Sequence, residues 1–151
     1  MQAPEARRII ELFSSAEVEM RFVGGCVRDS LFGGEISDID IATAARPEAV
    51  QEILHDAGIK SVPTGIKHGT VTAIVNGQAF EITTYRRDVE TDGRHAVVSF
   101  GTDWQEDAAR RDFTINALSI TPDGTLCDPF GGAADLKAGR IRFVGEAKRR
   151  V

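Results

Sequence analysis

Asn76-Gly77 sits between two strand-like runs, Thr70–Val75 and Gln78–Thr84, and constrains the chain more than any other pair. A type I′ two-residue connection needs positive φ at both of its positions, and Asn-Gly supplies this at little cost, so the runs are expected to fold back as an antiparallel hairpin. The register follows from the turn: Val75 faces Gln78, Ala73 faces Phe80 and Thr72 faces Glu81. Successive strand side chains point to opposite faces, so Phe80 and Ile82 face a core while Glu81 faces away from it. A hairpin in mid-chain does not fit the steady βαβ alternation of a doubly wound sheet.

The rest of the chain supplies helices and further strands. Residues 5–17 carry Ile9, Ile10, Leu12, Phe13 and Ala16 at helical spacing. Residues 19–23 predict a strand ended by Gly24-Gly25, and residues 26–31 a short helix closed by Gly33-Gly34. Residues 37–43 predict a second strand. Residues 47–57 predict a helix with Pro47 in its first turn and Gly58 past its end. Residues 85–101 are polar and irregular, and predict a mobile loop flanked by Tyr85 and, just beyond it, Trp104; the two are expected to be packing anchors more than stacking platforms for bases. Residues 103–111 predict a helix, residues 113–120 lead through Ala117-Leu118 into a strand, and Pro122-Asp123-Gly124 is a turn. Short strands at 126–129 and 141–144 bracket a helical turn at 133–137. The expected fold is α+β: one domain with a mixed, largely antiparallel sheet flanked by helices.

Composition excludes several classes. No apolar run approaches the ~18 residues that a membrane-spanning helix needs, and the charged N-terminus lacks the apolar segment of a secretory signal. Cys26 and Cys127 lie far apart with no C-x-x-C spacing, which predicts two free thiols and a cytoplasmic setting. The net charge of -5 argues against a module that lives on phosphate contacts alone, so no DNA partner is expected. Local basic clusters remain at Arg86-Arg87, Arg110-Arg111 and Lys148-Arg149-Arg150. Such a mixed surface suits an enzyme that holds metal and nucleotide. Neither a P-loop nor a G-x-S-x-G elbow is present.

Three segments carry candidate chemistry. Phe22 to Asp29 reads as strand, double-glycine turn and helix start. Backbone N–H groups at Gly24 and Gly25 can approach a phosphate because no Cβ intervenes, and Arg28 stands one turn on. An ordinary strand-to-helix turn with a solvated arginine reads equally well. In Asp38-Ile39-Asp40-Ile41, strand periodicity puts both carboxylates on one face. Parallel carboxylates repel and are most comfortable around a divalent cation; oxygen ligands on a rigid strand suit Mg²⁺, and two-metal nucleotidyl transfer uses this arrangement. Chance alone gives about one D-x-D in such a chain, so the weight lies in the order of the glycine turn, Arg28 and the aspartate pair. Glu81 is either a third metal or base carboxylate or an exposed sheet-face glutamate.

Arg110 to Ala117 places two guanidiniums, an acid, a hydroxyl and an amide within two turns. Arg111 can grip a triphosphate with Asp112 orienting it, and Asn116 can bond a ribose hydroxyl or a nearby backbone group; surface ion pairs of little worth are the bland alternative. His55, His68 and His95 share no ligand spacing with each other or with a cysteine, so no histidine is expected to hold metal.

Val23-Gly24-Gly25-Cys26-Val27-Arg28-Asp29, Ser37-Asp38-Ile39-Asp40, Arg110 to Leu118 and Asp128-Pro129-Phe130-Gly131-Gly132 together resemble the head domain of tRNA nucleotidyltransferases (CCA-adding enzymes) and bacterial poly(A) polymerases, within the polymerase-β-like nucleotidyltransferase superfamily. The resemblance runs over about residues 21–144. It implies that Asp38 and Asp40 hold Mg²⁺, that Gly25, Arg28 and Arg111 contact incoming CTP or ATP, and that Asp112 and Asn116 support its ribose or phosphate pocket. Residues 85–101 would be the loop that helps switch between C and A addition. The reaction implied is attack of an RNA 3′-hydroxyl, on a tRNA 3′ end, at the α-phosphate with release of pyrophosphate. In the family the head leads into helical neck, body and tail domains. This chain stops at Val151 before the neck motif, so residues 1–151 are expected to be the head alone, inactive or unselective by itself. Cys26 stands where small residues are common in the family.

Head motifs do not separate CCA addition, terminal A addition and poly(A) synthesis. Two other classes remain open at this point: a D-x-D glycosyltransferase, against which the glycine cradle and the Arg111 segment speak, and a non-catalytic nucleotide- or RNA-binding fragment.

Overall fold

The computed structural model describes residues 3–36, 38–91 and 96–145. A seven-stranded sheet forms the centre. Its strands are β1 (Met20–Val23), β2 (Ile39–Thr43), β3 (Lys60–Gly65), β4 (Thr70–Val75), β5 (Gln78–Thr84), β8 (Ser119–Ile120) and β9 (Leu126–Cys127), in the order β3-β4-β5-β2-β1-β8-β9. Only β2 and β5 run parallel; every other pair in the sheet is antiparallel. The hairpin register is the one the turn dictates, with Val75 opposite Gln78 and Thr72 opposite Glu81, and Asn76 and Gly77 both take positive φ. The mixed, largely antiparallel α+β architecture is therefore the one expected.

Period-two alternation gives the sheet two different faces. Phe22, Ile41, Val71, Ala73, Phe80 and Ile82 face a core closed by α1 (Pro4–Ser15), α2 (Gly25–Leu31) and α3 (Pro47–Asp56), which contribute Ile9, Phe13, Val27, Val50 and Leu54. The opposite face carries Asp40 and Glu81, side by side in the parallel register. Part of that face is covered by Tyr85 and by Trp104 of α4 (Trp104–Ala109), which pack on Val23 and Ala42. Among the described residues no helix is long and apolar enough to cross a membrane.

Residues 85–101 correct the expected loop. Arg86–Thr91 (β6) and Ala96–Phe100 (β7) pair antiparallel as a separate ribbon, with Arg86 opposite Phe100 and Asp88 opposite Val98. The polar composition that reads as loop is what a two-stranded ribbon outside the main core shows, because neither face must be wholly apolar. Residues 92–95, His95 included, lie outside the described residues, as do Ser37 and the basic cluster 148–150. The ribbon is held at its base: Gly101 N–H donates to the Tyr85 carbonyl at 2.7 Å, and the Phe100 ring packs on Gly69, a left-handed glycine (φ +85) with no room for a Cβ. Tyr85 is buried, its hydroxyl donating to Glu19 at 3.1 Å, and Arg21 lies over the Trp104 ring at 4.1 Å. Both aromatics are packing anchors here.

Other boundaries shift. Strand β3 edges the sheet over residues for which no element was expected. The strand expected at 141–144 is one bridge, Phe113 to Phe143, because the partner segment turns directly into a 3₁₀ turn, Thr114–Asn116. Helix α5 (Gly132–Lys137) packs against that turn. Thr114 Oγ1 donates to the buried Asp135 carboxylate at 2.5 Å and Arg142 Nε donates to it at 3.0 Å. The Thr114 hydroxyl, and then Arg142, hold the Asp135 carboxyl below its ordinary value.

Candidate active site

The turn between β1 and α2 is where the distant motifs meet. Gly24 has φ +72 and ψ −142, a conformation that L side chains avoid, and it lets the chain turn out of β1 straight into α2. A Cβ there would lie 3.5 Å from Arg111 Nη1 and 3.6 Å from Asp40 Oδ2, so the guanidinium and the carboxylate flank this one glycine. Gly25 stands likewise beside Arg28 Nη2, at 3.4 Å.

Arg28 bridges the two halves of the site. Its Nε donates to Asp29 Oδ1 and its Nη1 to Asn116 Oδ1, each at 3.0 Å. Asn116 Nδ2 in turn donates to Asp112 Oδ1 at 3.1 Å. Asp112 also accepts from the Phe113 N–H at 2.7 Å, which pins the start of the 3₁₀ turn. The expected role of Asp112 as the group that orients Arg111 passes to another residue: Arg111 Nη2 donates to Asp107 Oδ2 at 3.4 Å, one helical turn back. Asp107 is buried, and its other oxygen accepts the Arg86 backbone N–H at 2.8 Å. The i, i+4 spacing of Asp107 and Arg111 is the sequence signal that identifies this pair.

Asp40 and Glu81 lie on the same side of the sheet, and Asp38 is near enough for its charge to act on Asp40. The strand begins at Ile39, so exposed Asp38 precedes it instead of standing within it. Asp40 is half-buried. Its carboxyl is pushed up to about 6 by burial first, then by the hydrogen bond and charge of Glu81, with Asp38 adding repulsion and Arg111 opposing the rise. Glu81 is exposed on the sheet face, as one of the two sequence readings has it, and it stands beside Asp40 across the parallel pair. Carboxylates crowded this way share a proton or gather a cation.

Beside Asp40 opens a polar cavity of about 190 Å³, lined also by Thr83, Arg86, Asp107 and Arg111. Among the described residues the Nε of Arg86 is buried with no hydrogen-bond partner. Burial, and then the neighbouring Arg110, pull Arg86 below its ordinary value. Arg110 itself pairs with Asp88 of the ribbon at 2.9 Å. Sequence reading placed Arg86 only in a basic cluster. Cys26 is buried beneath the site, its thiol pushed up by burial, and it donates to the Val23 carbonyl at 3.2 Å. His55 and His68 are exposed.

The chain has counterparts of known sequence and structure. A mouse protein (Mus musculus), CCA tRNA nucleotidyltransferase 1, mitochondrial, is 51% identical over 146 residues, which is 96% of this chain and 34% of that protein. The Bacillus stearothermophilus CCA-adding enzyme, solved in complex with CTP, superposes with a TM-score of 0.86 at 43% identity, over 99% of this chain and 36% of its own. A tRNA nucleotidyltransferase solved with a primer tRNA and an incoming ATP analog gives a TM-score of 0.72 at 31% identity, over 91% and 39% of the two chains. The chain thus spans about a third of the length of the relatives it matches. The family described as the Poly A polymerase head domain matches residues 20–142, from the first strand through the glycine turn, the aspartate pair and the Arg111 segment, and this chain belongs to that family.

Proposed function

We propose that residues 1–151 are the head of a tRNA 3′-end nucleotidyltransferase, which transfers CMP or AMP from CTP or ATP to a terminal ribose hydroxyl. The observation that carries this reading is Asp40 and Arg111 meeting across Gly24, a carboxylate for metal and a cation for phosphate on either side of a backbone open to close approach. The related structures with CTP and with primer tRNA support the choice of nucleotide and acceptor. The neck, body and tail functions are assigned to the remaining two thirds of the relatives' length.

The donor set fits Mg²⁺. Among the described residues no three His, Cys, Asp or Glu side chains are grouped so as to hold a metal ion, but Mg²⁺ is commonly bound by only one or two carboxylates, with waters and substrate phosphates. Asp38 and Asp40 would hold it, and a cation there would offset the burial and the crowding by Glu81 that raise the Asp40 carboxyl. When bound, the metal lowers the charge cost of attack and of the leaving phosphates. Arg28, braced by Asp29 and Asn116, and Arg111, braced by Asp107, hold the triphosphate. The 3′-oxygen bonds to the α-phosphorus, the α–β anhydride breaks, and pyrophosphate leaves. Glu81, against Asp40, is the carboxylate we assign to the hydroxyl's proton.

The assay is incubation of tRNA lacking its 3′ end with labelled CTP or ATP and Mg²⁺, using a protein that carries this head together with the remaining length of its relatives. Addition of C, C and A is expected. Long A tracts would favour the poly(A) reading that the family's description also admits, and no incorporation with nucleotide still bound would leave a binding module. In the same protein Arg111→Ala is expected to weaken nucleotide binding by roughly 1.5–3 kcal/mol, the worth of a charge-assisted bond. An unchanged ATP titration would remove Arg111 from the pocket.

A further inference from the structure

The cavity beside Asp40 sets two guanidiniums, of Arg86 and Arg111, against the carboxylates of Asp40 and Asp107. Both oxygens of Asp107 are in use, one for the Arg86 backbone N–H and the other for Arg111. Asp40 is engaged with Glu81. No described residue accepts from the Arg86 guanidinium, and its Nε is buried. Asp107 and Asp88 face the charge, but a buried donor without a partner costs stability, so the open Nε–H invites an acceptor that arrives in the cavity. Water can satisfy that hydrogen bond, and a phosphate oxygen can satisfy it with a charge-assisted bond. The cavity, at about 190 Å³, has room for several waters at roughly 30 Å³ each, and therefore for a chain of phosphate groups.

We propose that Arg86 is a second guanidinium for the triphosphate of the incoming nucleotide, acting beside Arg111 on the β- and γ-phosphate oxygens. This rests on the nucleotidyltransferase reading above. Asp107 fixes both cations at once: it anchors the backbone from which Arg86 springs and the side chain of Arg111. Arg86 also opens strand β6, so phosphate binding reaches the root of the ribbon.

Calorimetric titration of a protein that carries this head together with the remaining length of its relatives, with ATP, inorganic triphosphate and AMP, each with Mg²⁺, tests the assignment, together with thermal melts without ligand. Arg86→Met keeps the apolar stem and removes the charge. It is expected to weaken binding of ATP and of inorganic triphosphate about 10-fold or more, to leave AMP binding unchanged, and to melt no lower than the parent chain. Arg86→Lys should recover part of the affinity. Equal triphosphate affinity in Arg86→Met and parent overturns the role of Arg86 alone, and so does a lower melting temperature with an equal loss for AMP, which marks a structural guanidinium. Absence of ATP and triphosphate binding in the parent chain overturns the nucleotidyltransferase reading and this one with it.

Discussion

Asp40→Asn is expected to abolish turnover while leaving the metal-free fold at least as stable as before. Loss of even about 4 kcal/mol of metal-derived charge stabilisation lowers kcat roughly 10³-fold. Stability moves the other way because the native carboxyl at about 6 lies above its ordinary 3.8. Between roughly pH 4 and 6 the folded state then binds more protons than the unfolded one, so the metal-free protein loses stability as pH rises through that window. Asparagine does not titrate, and its amide can donate to Glu81. The variant should match the parent near pH 4 and exceed it at pH 7 by about 1 kcal/mol, solvent screening having reduced the full linkage value. Melts at pH 4.5 and 7.5, alongside single-turnover rates with Mg²⁺, check both halves. A variant with parental kcat sinks the metal assignment; one that melts lower at pH 7.5 sinks the account of crowded carboxylates.

Gly132→Ala is expected to be strongly destabilising, because among the described glycines it makes the shortest Cβ contact. Its Cβ would lie 2.1 Å from the Thr114 carbonyl oxygen and 2.7 Å from that carbonyl carbon, both backbone atoms. Neither side can yield cheaply. The Thr114 N–H donates to the Arg142 carbonyl, its own carbonyl accepts from Ala117, and its hydroxyl is bonded to Asp135. On the other side, the Gly132 N–H is capped by Asp128 Oδ1 at 2.7 Å. Separating α5 from the turn should cost about 3 kcal/mol, the upper part of the overpacking range, and lower Tm by about 10 °C for a domain of this size. Asn116 sits in the displaced turn and braces Arg28, so nucleotide affinity should fall too. A melt within 1–2 °C of the parent, roughly the shift of half a kcal/mol, would show that α5 is not seated on Thr114.

Much of this protein follows from local rules in its sequence. Asn76-Gly77 dictates a hairpin and its register, and the register alone places Glu81 off the core face, because side-chain direction in a strand has period two. Gly24 takes a backbone angle that only the tertiary fold could confirm, yet the need for a glycine between strand and helix is visible in the chain itself. The arrangement of charges is different in kind. Asp107, not Asp112, braces Arg111 because α4 ends where its last turn meets the site. Asp40 meets Glu81 only because β2 lies parallel to β5, a pairing between segments about forty residues apart that no local pattern specifies. The ribbon of β6 and β7 escaped sequence reading for a related reason: period two identifies a strand when one face must be dry, and this ribbon stands outside the main sheet. Local chain chemistry thus determined the elements and the directions of their side chains. Only the packing of distant elements decided which charges face one another, since those interactions depend on distances that sequence neighbours do not set.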